Sequence, residues 1–240
     1  MARPEHADLA AMTVEDLVAH LTAHSNLPGP RGNLELADAF SATASREAIL
    51  EFAEVDDEYL RFCGTQGLGR LLAEAPGDAR LAATHVATLA ERAADPLWRV
   101  REATARALQI FGRAEPAAMH AVVSEWVAHP DAYVRRAAMA AICEPSLLED
   151  DEGFHAGLAA CEAATASLLA LPPGDRKAPG PRNLRQGLGY GWSVVVAANP
   201  REGMPAFDRL RESTDPDVAW IVRTNLSKNR LKRLVGQPPT

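Results

Sequence analysis

No cysteine pattern is present. Cys63, Cys143 and Cys161 form no CxxC and leave an odd one over. That excludes a zinc ribbon or a disulfide framework and leads us to expect a reducing, cytoplasmic setting. Aromatics are scarce, at 5% of a chain that is 47% hydrophobic. Alanine therefore carries much of the apolar content, which suits close-packed helices better than a sheet sandwich. The longest plain apolar run, Trp192 to Ala198, is far shorter than the ~20 residues a membrane helix needs. With a polar N-terminal stretch, neither signal peptide nor anchor is expected.

Catalytic motifs are missing too. There is no GxSxG and no HExxH. His20 and His24 stand four apart, yet no third ligand follows, so no metal is expected. The clusters Gly64-Thr-Gln-Gly-Leu-Gly69 and Gly187-Leu-Gly-Tyr-Gly191 lack the Lys-Ser/Thr of a phosphate loop and follow no strand. They read instead as places where helices approach closely. No cofactor is implied, and a non-catalytic role is favoured over an enzyme. The net charge of −7 also argues against a molecule built as a whole to bind polyanions.

What is present is a repeated unit. In the stretch Asp95 to Gly112, Asp95 can cap a helix and Pro96 follows where a missing N–H costs nothing. Val100, Ala103, Ala107, Ile110 and Phe111 make one apolar stripe, and Gly112 reads as a C′ stop. His129-Pro-Asp-Ala-Tyr-Val-Arg-Arg136 repeats the start: Pro130 matches Pro96, Val134 matches Val100, and Arg135 matches Arg101. A third copy begins at Asp215-Pro216, where Trp220-Ile-Val-Arg223 matches Trp98-Arg-Val-Arg101. An amphipathic helix precedes each copy, so the unit is helix, Asp/Pro turn, helix. Pro96 and Pro130 are 34 positions apart, and Pro130 and Pro216 are 86 apart, room for two units.

These residues resemble the HEAT-repeat family, whose period is usually about 40–47. The resemblance covers 79–143 and 201–235 clearly. It implies an all-α, HEAT-like α-solenoid of stacked antiparallel helix pairs, about five of them, with a concave face. It also implies that Arg101, Arg135 and Arg223 are structural and bond between neighbouring repeats. We divide the chain into 1–78, a helical cap or degenerate repeats, and 79–240, HEAT-like repeats with a Pro/Gly-rich insertion at 171–182. Within the first part, helices are expected from Thr13 to His24, from Asn33, from Ser45 to Ala53, and from Asp56 to near Pro76, with a loop over Ser25 to Gly32. The helix paired with the insertion is expected over Asn183 to Ala198, and the last over 218–235. Residues 1–12 should be a loose lead-in and 236–240 should fray.

Three surfaces are candidates for partner binding. The first is the pair of Pro-Gly-Pro-Arg loops, with Arg31, Arg176, Lys177 and Arg182, since insertions in repeat proteins gather on the binding face. The second is the C-terminal run Lys228, Arg230, Lys232 and Arg233. No acid follows Asp217; residues 201–240 hold 8 basic and 5 acidic residues, against 17 and 27 before them. The third is the tryptophan set Trp98, Trp192 and Trp220. HEAT-like repeats include the alkylpurine DNA glycosylases, whose concave face uses tryptophans and an aspartate, but no residue here matches that aspartate. Each surface has a plainer reading: rigid turns, cations that complement a helix end, and tryptophans that pack helix ends. The expected function is a cytoplasmic scaffold for a protein partner. Nucleic acid, through the basic C-terminal helix, is the alternative, and no membrane contact is expected.

Overall fold

The computed structural model describes residues 7–75 and 77–235. Among them every regular element is helical: α1 (Val14–His24), α2 (Leu34–Thr43), α3 (Arg46–Phe52), α4 (Glu58–Ala73), α5 (Ala79–Ala93), α6 (Trp98–Ala114), α7 (Pro116–Trp126), α8 (Ala132–Ile142), α9 (Asp151–Leu169), α10 (Pro179–Ala198), α11 (Pro200–Arg211), α12 (Pro216–Leu226) and α13 (Asn229–Val235). Among the described residues, short 3-10 turns lie at Leu9–Ala11, Pro145–Leu147 and Asp175–Lys177. No helix among the described residues is long and apolar enough to cross a membrane.

Small polar side chains start these helices. Thr13, Asn33, Ser45, Asp57, Asp78, Asp131, Asp150, Asn199 and Asp215 each accept a hydrogen bond from a first-turn N–H. Each cap satisfies an orphan donor and is worth about 1 kcal/mol. At the organising Asp/Pro turn, Asp95 accepts from Leu97 N at 2.8 Å.

The chain folds as two compact units, Met1–Ala114 and Glu115–Thr240. In the first, α4 packs directly on α2 and α6, while α3 and α5 back onto the same row. In the second, α10 packs directly on α8 and α12, with α7, α9 and α11 behind. Each unit is thus a stack of antiparallel helix pairs, the geometry short turns impose on neighbouring helices. The cores are leucine, phenylalanine and alanine: Leu36, Phe40, Ile49 and Phe52 in the first, and Ala137, Ala138, Ala141 and Leu188 in the second. Glycine sets how near the helices come. A Cβ on Gly69 would lie 2.1 Å from the Ala107 carbonyl oxygen of α6, and one on Gly64 2.1 Å from Ala53 N.

Several boundaries differ from the sequence reading. α6 runs through Gly112 to Ala114, so Gly112 is a buried helical residue and not a stop; the turn comes at Glu115, where Pro116 opens the next helix. Pro179-Gly-Pro-Arg182 is not loop but the first turn of α10, because Pro179 sits at a position where proline's missing N–H is harmless. The matching Pro28-Gly-Pro-Arg31 remains a loop, with a cis Leu27–Pro28 bond. The last helix is broken at Ser227 and Lys228, separating α13 from α12. Asp57, not Asp56, caps α4. Leu9, in the expected loose lead-in, is 2% exposed. α4 ends at Ala73, three residues before Pro76. The expected fraying of 236–240 and the lead-in over 1–6 fall outside the described residues.

Candidate functional site

The second unit gathers a basic and aromatic face from α10, α12 and α13. On α10, Arg182, Gln186 and Tyr190 recur every four residues and are all exposed. Tyr190, 46% exposed, is one of few large apolar side chains at the surface. On the flank of that stripe, Gly189 leaves room for the Trp220 indole of α12; a Cβ there would come within 2.9 Å of the ring. Arg185, one turn before Gly189, stacks its guanidinium 4.5 Å from the Trp220 ring centre and donates to Asp217 at 2.7 Å. From α13, Arg230 stacks 4.7 Å from the Tyr190 ring centre and donates to the Tyr190 hydroxyl at 3.0 Å. Two arginine–aromatic stacks therefore tie α10 to its neighbours, one to α12 and one to α13. Each is worth about 0.5–1 kcal/mol at an exposed site, and more once a partner excludes water.

A buried amide fixes this register. Asn225 of α12 is fully buried; it donates to the Leu188 and Ile221 carbonyls at 2.9 and 2.8 Å and accepts from Ser193 N at 2.8 Å. It clips α12 to α10 beside the Trp220 turn, so the stacks are held by the scaffold and not by loops. Lys232 and Arg233 are exposed on α13, and Lys228 is half-buried at its start.

Of the residues expected from sequence, the structure brings Arg182, Trp220 and Arg230 to this face, next to Lys228, Lys232 and Arg233. It takes two away. Arg176 is 8% exposed and spent on the fold: it pairs with Asp215 at 2.7 Å and Asp217 at 3.4 Å, and donates to the Leu171 and Leu169 carbonyls at 2.9 and 2.8 Å. Four of its five N–H donors are thus engaged inside the fold. Partial burial works to raise the Asp215 pKa, but the Arg176 hydrogen bond and two backbone N–H groups outweigh it and hold the carboxyl below its ordinary value. Trp192 is 1% exposed, donates to Thr165 Oγ1 at 3.1 Å and packs against Phe207; it is core. Lys177 is exposed beside Arg176.

Trp98 and Arg31 belong to the first unit. Trp98 is 50% exposed under Arg99, which pairs with Glu58 at 3.1 Å and donates to the Gly29 carbonyl at 2.6 Å. Arg31 is exposed in the Pro/Gly loop. Of the arginines after valine, Arg101 and Arg135 bond carbonyls of their own turns, Asp95 at 2.6 Å and Pro130 at 2.9 Å, while Arg223 is exposed. The longer reach comes from earlier in the chain: Arg61 to Asp95 at 3.1 Å, and Arg176 to Asp215. His20 and His24 lie with ring centres 4.7 Å apart, and no three metal-ligating side chains converge among the described residues.

Sequence reasoning missed Arg185 and Tyr190. The available signal was the spacing Arg182, Gln186, Tyr190 on one helix face, hidden because Pro179 to Arg182 read as loop.

No family model matches the chain, and no curated protein matches it. Among solved structures it is similar to an engineered protein at 14% identity over 97% of this chain and 100% of that one, with a TM-score of 0.41. It is also similar to a designed armadillo repeat protein at 13% identity, covering 88% and 98%, with a TM-score of 0.32. The stacked-helix architecture rests on the chain's own elements.

Proposed function

We propose that the chain is a non-catalytic scaffold whose α10–α13 face docks an acidic segment of a protein partner. The observation that carries this is the pair of arginine–aromatic stacks, Arg185 on Trp220 and Arg230 on Tyr190. Tryptophan, tyrosine and arginine are the side chains in which binding energy concentrates: the two aromatics bury large areas with few rotamers to freeze, and arginine adds a planar fork of donors that stacks on them. Rigid helices present them, so little ordering remains to be done on association. The cations around them supply attraction for an acidic segment and steer its approach.

A nucleic-acid partner is the second reading, favoured by the same stacks, since aromatic and guanidinium planes also take bases. The net charge of −7 weighs against it, because phosphate neutralisation dominates nucleic-acid affinity. The alkylpurine glycosylase version would also need a catalytic aspartate, for which no position offers itself.

The test is fluorescence anisotropy of the full chain with a labelled Glu/Asp-rich peptide. Reversing Arg230, Lys232 and Arg233 to Glu should weaken binding about tenfold or more while leaving the helical circular dichroism unchanged. Unchanged affinity in the folded triple variant removes this face as the docking surface.

A further inference from the structure

The first unit holds a cleft that the α10–α13 face does not involve. It measures about 490 Å³ and is walled by α2, α4 and α6. From α6 come Arg106, Gln109, Ile110 and Arg113, spaced three, four and seven apart on one face; Asp38, Ser41 and Ala42 of α2 face them, and Arg70 of α4 lies between.

Two of the three guanidiniums are anchored. Arg70 donates through Nε to the Ser41 carbonyl at 2.7 Å, through Nη2 to the Ala44 carbonyl, and pairs with Glu74 at 2.8 Å. Arg106 donates through Nε to Gln66 Oε1 at 2.7 Å and pairs through Nη2 with Asp38 at 2.5 Å. Gln66, fully buried in α4, also donates to Asp38 at 2.7 Å, which locks the carboxylate and the guanidinium in one orientation. Arg106 keeps Nη1 unengaged among the described residues. Arg113 is exposed and makes no hydrogen bond or ion pair with any of them. Glu74 therefore offsets Arg70, Asp38 offsets Arg106, and Arg113 is left as one uncompensated positive charge on the cleft.

We propose that this cleft binds a phosphate monoester. A carboxylate has two oxygens, which a single guanidinium fork satisfies; a phosphoryl group has three and takes donors from two arginines at once. Arg106 and Arg113 stand two turns apart, about 10 Å along the helix, and both line the cleft. Ala42 and Ile110 give an apolar wall for a short carbon arm behind the phosphate. The anchoring of Arg106 by a buried amide leaves little side-chain freedom to lose on binding. The ester is either a phosphorylated side chain of a partner or a small phosphorylated metabolite.

Isothermal titration of the full chain, at about 50 mM salt, uses glycerol phosphate, a short peptide with one phosphoserine, and the same peptide unphosphorylated. Both phosphate esters are expected to bind and the plain peptide not to. A tighter phosphopeptide identifies a modified partner as the source; equal affinities identify the small ester. Arg113→Gln, an exposed position, should weaken both about tenfold without changing the melting temperature. Asp38→Asn keeps the oxygen that accepts from Gln66 and Arg106 but removes the opposing charge, so it should tighten binding severalfold, which a purely structural clasp would not do. Reversal of Arg230, Lys232 and Arg233 should have no effect. The proposal is overturned if neither ester binds, if Arg113→Gln binds as well as the native chain, or if the C-terminal reversal abolishes binding.

Discussion

Arg176 shows what a single residue's neighbours in sequence conceal. It lies in Pro172-Pro-Gly-Asp-Arg-Lys-Ala178, a run that reads as a solvated loop, yet its partners are 39 and 41 residues further on. A residue-by-residue reading has no access to such distances, so a buried ion pair passes for a surface cation. Trp192 misleads in the same way: an indole is apolar enough for core and polar enough for a binding face, and only Thr165 and Phe207 decide it. The consequence for Arg176 is measurable. Arg176→Ala removes a donor from Asp215, Asp217 and two carbonyls and should cost about 2–3 kcal/mol in urea unfolding, less than a fully buried pair because both carboxylates retain some water and Asp217 keeps Arg185. Lys177→Ala should cost almost nothing. The pH dependence has a defined sign. Asp215 titrates below its unfolded value, so the pair's contribution is fully present above the ordinary carboxylate pKa near 4 and is lost as pH falls through the depressed folded value. The gap between native chain and Arg176→Ala should therefore be constant from neutral pH down to about 4 and close below it.

At the scale of elements, most helices were legible, because Thr13, Asn33, Ser45 and Asp215 mark their starts and act as caps. Two of the misread boundaries were punctuation by glycine and proline. Gly112 looked like a terminus and is interior; Pro179 looked like loop and opens α10. Glycine inside a helix has two opposite explanations, a stop or a close contact, and sequence spacing does not separate them. Gly69 separates them by experiment. Helix propensity alone predicts that Gly69→Ala gains about 1 kcal/mol. The added Cβ, however, would lie 2.1 Å from the Ala107 carbonyl oxygen, a backbone atom that moves only if α4 and α6 part. Overpacking of that kind should reverse the sign and cost about 2 kcal/mol or more in the denaturation midpoint. Gly174→Ala is the control: nothing lies within 4 Å of a Cβ there and the backbone is already helical, so the change should be neutral or stabilise by about 0.4–1 kcal/mol.

For the whole molecule, the decisive quantity is how charge is distributed over the stacked helices. The asymmetry was legible in the sequence, since residues 201–240 carry a basic excess within an acidic chain. The assembled face was not, because Tyr190 and Arg185 reach Arg230 and Trp220 only when α10 packs on both α12 and α13. Net charge then separates the two partner classes. An acidic peptide meets only the local cations, and its short reach keeps it within about 10 Å of them, the screening length at 0.1 M salt. Duplex DNA extends well past that face, so its further phosphates lie against the acidic remainder of the chain instead of against cations that would release their counterions. Anisotropy of the full chain at about 50 and 200 mM salt should therefore show peptide binding that weakens by a few fold, and no duplex binding at either salt. Tight duplex binding at the lower salt that collapses by about a thousandfold at the higher would mean that many phosphates are contacted, and the acidic-partner reading would give way to nucleic acid.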